Sequence, residues 1–346
     1  MSEPAGPHSL GLRDFHTAKG AVLGETAGWR VPLHYGDSEA EYRALRSTAV
    51  AFDASQRSRL LVTGTDGGEV LDAALAGHPG EIEEGRCSRA TAVDDRGHVS
   101  DLALVTRTGG IAWMVIGEPG RRLPTFARLQ ASVRSDFDAR VEDRTAGTCL
   151  VGLSGPRSAE LVGRFVAEAL PARLQPLQSV TFEFHGFRAL AIRVSETGED
   201  GFLFVVAPAV ALHLFESLTE AGVALAGHQA LEVARIEACL PAYEPDLVNG
   251  LTPTEAGLES TGAGTDPRRR LVPFLLEEAE PPSPGTPVSR GGTVVGETRS
   301  SAWCWGVRSV GGLAIVDASE AAPGTLLDVA GKAATIVAKP IYRRRG

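Results

Sequence analysis

Thr197-Gly-Glu199-Asp200-Gly-Phe202 stands between two apolar runs, 188–194 and 202–206, and its reading decides the fold. Glycines bracket two adjacent carboxylates, so the chain reverses there and two neighbouring strands of one sheet are predicted. Chemically the stretch has two readings: a plain hairpin turn, or a turn that presents one acid to a ligand. Working outward, a further strand is read at 180–184 and helices at 209–221 and 229–238. Upstream, Cys149-Leu-Val-Gly-Leu-Ser154-Gly155-Pro156 reads as a buried strand stopped by Gly-Pro, with a helix over 157–169.

The N-terminal half repeats this alternation. A helix is predicted over 38–50, where Tyr42, Leu45 and Ala49 share a face. A strand at 58–63 and a helix at 69–76 follow. Strands at 90–93 and 101–106 flank the polar turn Asp94-Asp-Arg-Gly-His98; a strand at 112–116 and a helix at 124–133 complete the unit. This order predicts an α+β protein with helices against antiparallel sheets. Near the C-terminus, the four prolines of 277–287 exclude an element interior, and strands and turns from 293 onward predict a small β-domain.

The chain has 346 residues, 43% hydrophobic and 22% charged, which suits two or three packed units and excludes disordered, collagen-like and disulfide-scaffold classes. No run reaches the ~18 apolar residues of a membrane span. The start, with Glu3 and Asp14, lacks the basic-then-apolar pattern of a signal peptide. A cytoplasmic location without a membrane partner is expected. The net charge of −9 argues against a nucleic-acid partner. The cysteines at 87, 149, 239 and 304 form no metal-ligand spacing, so no metal site is expected. Dinucleotide, P-loop and zincin motifs are absent, and Gly152-Leu-Ser154-Gly155 falls short of a nucleophile elbow.

Two acidic positions remain as candidates for chemistry. Glu199 lies in the turn already described. Asp101, in Gly97-His-Val-Ser-Asp101-Leu, opens an apolar strand, where an acid is either a turn former or a reactive group. The arginines 343–345 are either a solvated tail or an anion-binding edge.

Taken in order, the pieces of this sequence resemble the aminomethyltransferase family, the glycine cleavage T-protein and its folate-dependent relatives. Ala27-Gly-Trp29-Arg-Val-Pro32-Leu-His-Tyr35 is similar to the family's opening AGW-x-x-P-L-x-Y, and Ala51-Phe-Asp53-Ala-Ser55 to its FDVS. Leu153-Ser-Gly155-Pro156 is similar to QGP, and Thr197 to Phe202 matches TGEDGF at every residue. Arg235-Ile-Glu237-Ala238 resembles RLEA, and Lys339-Pro-Ile-Tyr342-Arg the closing KPFYR.

The resemblance implies a three-domain α+β ring: a core domain over 1–55 and 141–260, a ferredoxin-like insert at 56–140, and a C-terminal β-barrel at 270–346. It implies tetrahydrofolate as cofactor. Glu199 aligns with the acid that grips the pterin, where an ionised carboxylate can accept two adjacent N–H groups. Asp101 aligns with the acid near the reacting nitrogens, suited to take a proton during one-carbon transfer. Tyr243 aligns with a family tyrosine and is read as pocket wall or core. Arg235 is a ligand or an ion-pair former, and Arg345 falls near a contact to the folate glutamate tail.

The departures are equally specific. The HM after FDVS has become Gln56-Arg57, and Ser100 replaces the first acid of the family's acidic pair. A tyrosine falls on Ser88, a pterin-side asparagine on Ile116, the tyrosine before TGEDGF on Glu196, and an arginine on Leu231. The expected function is therefore a one-carbon (methyl or methylene) transferase or demethylase acting on a small molecule, a specialised paralogue of the T-protein; a carrier protein is the secondary partner. The alternatives are the same fold serving a non-folate substrate, or a non-catalytic folate-binding iron–sulfur maintenance protein, whose cysteine motif this chain lacks.

Overall fold

The computed structural model describes residues 7–258, 266–277 and 280–343. Two compact units are present: Met1–Ala92 with Asp101–Ala230, and Val93–Ser100 with Leu231–Gly346.

In the first unit a six-stranded sheet runs in the order Gln178–Phe184, Phe187–Arg193, Gly201–Val206, Cys149–Ser154, Val50–Asp53, Ala224–Leu225. Its pairs are antiparallel except the last, which is parallel. The helix Pro208–Glu220 buries Val210, Leu214, Phe215 and Leu218 against it. Gly152 faces Phe52 across the sheet, and a Cβ there would lie 2.1 Å from the Phe52 ring, so only glycine fits.

A five-stranded sheet in the order Cys87–Val93, Val99–Gly109, Ala112–Gly117, Arg59–Thr63, Arg140–Asp143 carries Asp101. Its helix-covered face holds Leu60, Val62, Ala103, Val105, Trp113 and Val115, packed with Leu71 and Leu129. A small sheet, His8–Ser9, Trp29–His34 and Val22–Thr26, holds the Ala27-Gly-Trp29 turn. Within the second unit, six strands from Arg269–Leu276 to Lys332–Ile336 form a closed barrel around Phe274, Val310 and Val316.

Several elements differ from the sequence reading. The helix expected over 157–169 ends early, as Ser158–Phe165, and a separate short helix, Leu170–Arg173, follows it. Pro171 stands in the first turn of that second helix, where no intrahelical N–H is needed. The helix expected over 38–50 stops at Ser47, because Val50 already pairs with Ser154. The small N-terminal sheet and the helix Arg13–Ala18 have no clear periodicity to announce them.

What joins the N-terminal helix to the large sheet is a buried polar chain. His16 Nε2 lies 2.9 Å from Asp53 Oδ2, and its Nδ1 lies 2.7 Å from the Tyr35 hydroxyl. Burial holds the Tyr35 phenol far above its ordinary range, so it donates to Nδ1 and the Nε2–H donates to Asp53. His16→Ala removes both bonds and leaves Asp53 buried beside a void. We expect a loss of about 3 kcal/mol, read as a lower urea midpoint with an unchanged m-value.

Candidate functional site

The turn carrying Glu199 is fixed by hydrogen bonds from both sides. Ser154 Oγ meets Thr197 Oγ1 at 2.7 Å, and Gly155 N donates to Asp200 O at 2.9 Å. Gly198 takes φ +85°, a left-handed conformation that glycine adopts without strain. The two adjacent acids then separate. Asp200 turns to Arg193, which donates to both its oxygens at 3.0 and 2.7 Å. Glu199, 7% exposed, accepts from Arg46 Nη1 at 3.1 Å, and the same nitrogen donates to Thr197 O at 2.9 Å. Arg46 in turn lies over the Tyr42 ring. Of the two carboxylates, only Glu199 is buried.

Asp101 is fully buried. Strand alternation puts it on the face of Ala103 and Val105, beneath the helix Arg122–Ala131. Thr125 Oγ1 of that helix donates to Oδ2 at 2.5 Å, and Glu118 N donates to Oδ1 at 3.1 Å. A Cβ at Gly117 would lie 2.7 Å from both Asp101 Oδ2 and Ser58 Oγ, so the bend is reserved for glycine. Burial drives the Asp101 pKa up to about 7, opposed by the Thr125 hydroxyl and assisted by the charge of Glu118.

Arg57 links the two acidic positions. Its Nε donates to Gly117 O at 3.2 Å, beside the amide that holds Asp101, and its Nη1 donates to Glu196 Oε2 at 2.8 Å, three residues before Glu199. Glu196 Oε1 also accepts from Arg89 Nη2 at 3.4 Å. Motif reading noted Arg57 and Glu196 only as departures from a pattern. Opposite charges at both departing positions were the signal that could have paired them.

In the second unit, Arg235 donates to Asp246 at 2.6 Å, to Leu240 O at 3.2 Å and to both oxygens of Glu232. Asp246 also accepts from Ala242 N and from Ser300. Arg235 therefore braces the segment that carries Tyr243, a half-buried residue opening the turn Tyr243–Leu247. Arg345 lies outside the described residues. Of the other departing positions, Ile116 is fully buried, while Ser88 and Leu231 are half-buried.

Residues 12–262 match the GCVT N-terminal domain model, and residues 269–343 match the glycine cleavage T-protein C-terminal barrel domain. The chain belongs to the aminomethyltransferase family. It is 31% identical to the aminomethyltransferase of Streptomyces avermitilis, with 98% of each chain covered, and 31% identical to that of Streptomyces coelicolor, with 95% of this chain and 96% of the relative covered. The crystal structure of glycine cleavage system aminomethyltransferase T from Bartonella henselae superposes with a TM-score of 0.86 at 23% identity, covering 97% of this chain and 98% of that one, and shares the fold. This aminomethyltransferase-family chain is an enzyme, a transferase of one-carbon units. No helix among the described residues is long and apolar enough to cross a membrane.

The donor set fits a reduced folate in part. A carboxylate has lone pairs for about four hydrogen bonds, and Arg46 donates to one oxygen of Glu199. Among the described residues, Gln56 Oε1, beside Arg57, is a buried acceptor without a hydrogen-bond partner. Both suit the N–H-rich edge of a pterin. The charged pair Arg57–Glu196, where the family has methionine and tyrosine, does not suit an apolar ring face.

Proposed function

We propose that this aminomethyltransferase-family chain is a tetrahydrofolate-dependent one-carbon transferase or demethylase for a free small molecule, a specialised paralogue of the glycine cleavage T-protein. The observation that carries the coenzyme part is the buried Glu199 carboxylate, held in its turn by Arg46. Tetrahydrofolate, when bound, supplies the nitrogen that accepts the one-carbon unit. Glu199 orients the pterin by accepting its paired N–H groups. Asp101, with a pKa pushed up to about 7, holds or releases a proton near neutral pH, as a general base or acid must. Its contacts to Thr125 and to the Glu118 amide fix its direction. Resemblance assigns further coenzyme contacts to Tyr243 and Arg345, and Arg235 braces the segment that carries Tyr243.

The specialised part rests on the replacements at 57 and 196. A polar–apolar exchange against a buried ligand atom costs about 1–3 kcal/mol. Several such changes separate this site from one tuned to a carrier-borne lipoyl arm. Calorimetric titration with tetrahydrofolate tests the reading: saturable binding is expected, and the absence of heat at millimolar ligand would favour a non-folate substrate on the same scaffold.

A further inference from the structure

We propose that Arg57 and Arg89 form a carboxylate clamp, filled by the chain's own Glu196, and that a carboxylate of the reacting small molecule or of the folate tail takes the place of Glu196. The inference rests on the proposed small-molecule, folate-dependent function and names the chemistry its ligand must carry.

The geometry is that of a bridging carboxylate. Glu196 gives one oxygen to Arg57 Nη1 at 2.8 Å and the other to Arg89 Nη2 at 3.4 Å. Guanidinium pairs of this kind recognise planar carboxylates through several parallel bonds. The clamp's inner arm is built into the protein: the Arg57 side chain is 9% exposed and anchored through Nε to Gly117 O. Its Nη2 lies 3.7 Å from Glu118 Oε1, an ion pair beyond hydrogen-bond length, so this nitrogen can still donate to an incoming oxygen. The outer arm, Arg89, is half-exposed and also donates to Ser195 O at 3.0 Å.

Glu196 is the part able to leave. Its side chain is 23% exposed, against 9% for Arg57, and it sits in the loop between the strands Phe187–Arg193 and Gly201–Val206. A buried guanidinium left without an anion is strongly unfavourable. Exchanging one carboxylate for another avoids that penalty, whereas a neutral ligand cannot displace Glu196. The clamp thus discriminates by charge. The Asp101 charge acts on Arg57 as well, so a carboxylate held there lies in the electrostatic neighbourhood of the reacting acid.

The experiment uses the full chain and calorimetric titration with N-methylglycine, its amide, tetrahydrofolate and 6-methyltetrahydropterin, which lacks the glutamate tail. In wild type, N-methylglycine is expected to bind at least 10-fold more tightly than its amide. Glu196→Gln removes the internal competitor and should tighten a carboxylate ligand about 10-fold while leaving its uncharged counterpart unchanged. Arg57→Met should erase that gain in the Glu196→Gln background, and Arg89→Met, at an exposed position, should reduce it several-fold without affecting folding. A gain confined to N-methylglycine assigns the clamp to the one-carbon donor; a gain confined to tetrahydrofolate, and missing for the tail-less pterin, assigns it to the glutamate tail. No gain for either carboxylate ligand, or a gain that survives both arginine substitutions, overturns the clamp. Tetrahydrofolate failing to bind wild type while the N-methylglycine gain persists overturns only the folate reading.

Discussion

Glu199→Ala is expected to weaken tetrahydrofolate binding by a hundredfold or more, which removes it from a calorimetric titration at micromolar protein. A charge-assisted pair of hydrogen bonds contributes about 3 kcal/mol, and each ~1.4 kcal/mol is tenfold in affinity. The effect is large because the acid is placed in advance. Arg46 donates both to Glu199 Oε1 and to Thr197 O, so one guanidinium sets the side chain and the backbone of the turn together. Alanine also takes a buried partner from Arg46, so a lower thermal midpoint is expected. Glu199→Gln separates the two effects. It keeps the shape and one acceptor oxygen for Arg46, but turns an N–H donor toward the pterin donors. Folding is then largely preserved and binding still falls at least tenfold. Tetrahydrofolate affinity unchanged in a folded Glu199→Gln protein would refute the pterin clamp.

How much of this was legible in the sequence depends on how far apart the partners lie. The Thr197 to Phe202 turn was legible because its determinants are local: glycines, acids and flanking apolar runs within a dozen residues. The barrel was legible from 293 onward as strands and turns, whereas its first strand, Arg269–Leu276, was not read from the residues. The Arg57–Glu196 pair spans 139 positions, and no periodicity connects its members. Only the large sheet and the strand Arg59–Thr63 bring them together. Asp101 illustrates another limit. Its place at the mouth of a strand was legible, but its burial under Thr125 depends on a helix two elements later. For Arg235, both readings were open on the page. The structure supplies Asp246 and Glu232 as partners, and hence a bracing role, because Asp246 lies in a turn that the sequence pattern does not mark.

Asp101→Asn should separate catalysis from binding and show its effect in two pH profiles. Asparagine has the same shape, can accept from the Glu118 amide and can pair with the Thr125 hydroxyl, so the fold and tetrahydrofolate affinity stay close to wild type. Turnover, followed as one-carbon transfer to tetrahydrofolate, should fall by about 10²–10⁴, the range for losing a positioned acid or base. If Asp101 acts as the base, wild-type turnover rises with pH through about 7 as the carboxylate forms, and this limb disappears in the variant. Stability runs the other way. The folded pKa of about 7 lies above the ~3.9 of an unfolded aspartate, so the native state holds a proton that the unfolded state has already lost. The protonated group's contribution is complete below pH ~4 and declines as pH rises toward 7, by at most ~1.4 kcal/mol per unit. Urea unfolding across pH 4–8 should show that decline in wild type and its loss in Asp101→Asn. Parallel stability curves would mean that Asp101 titrates as an ordinary surface acid, and full turnover in the variant would remove it from the chemistry.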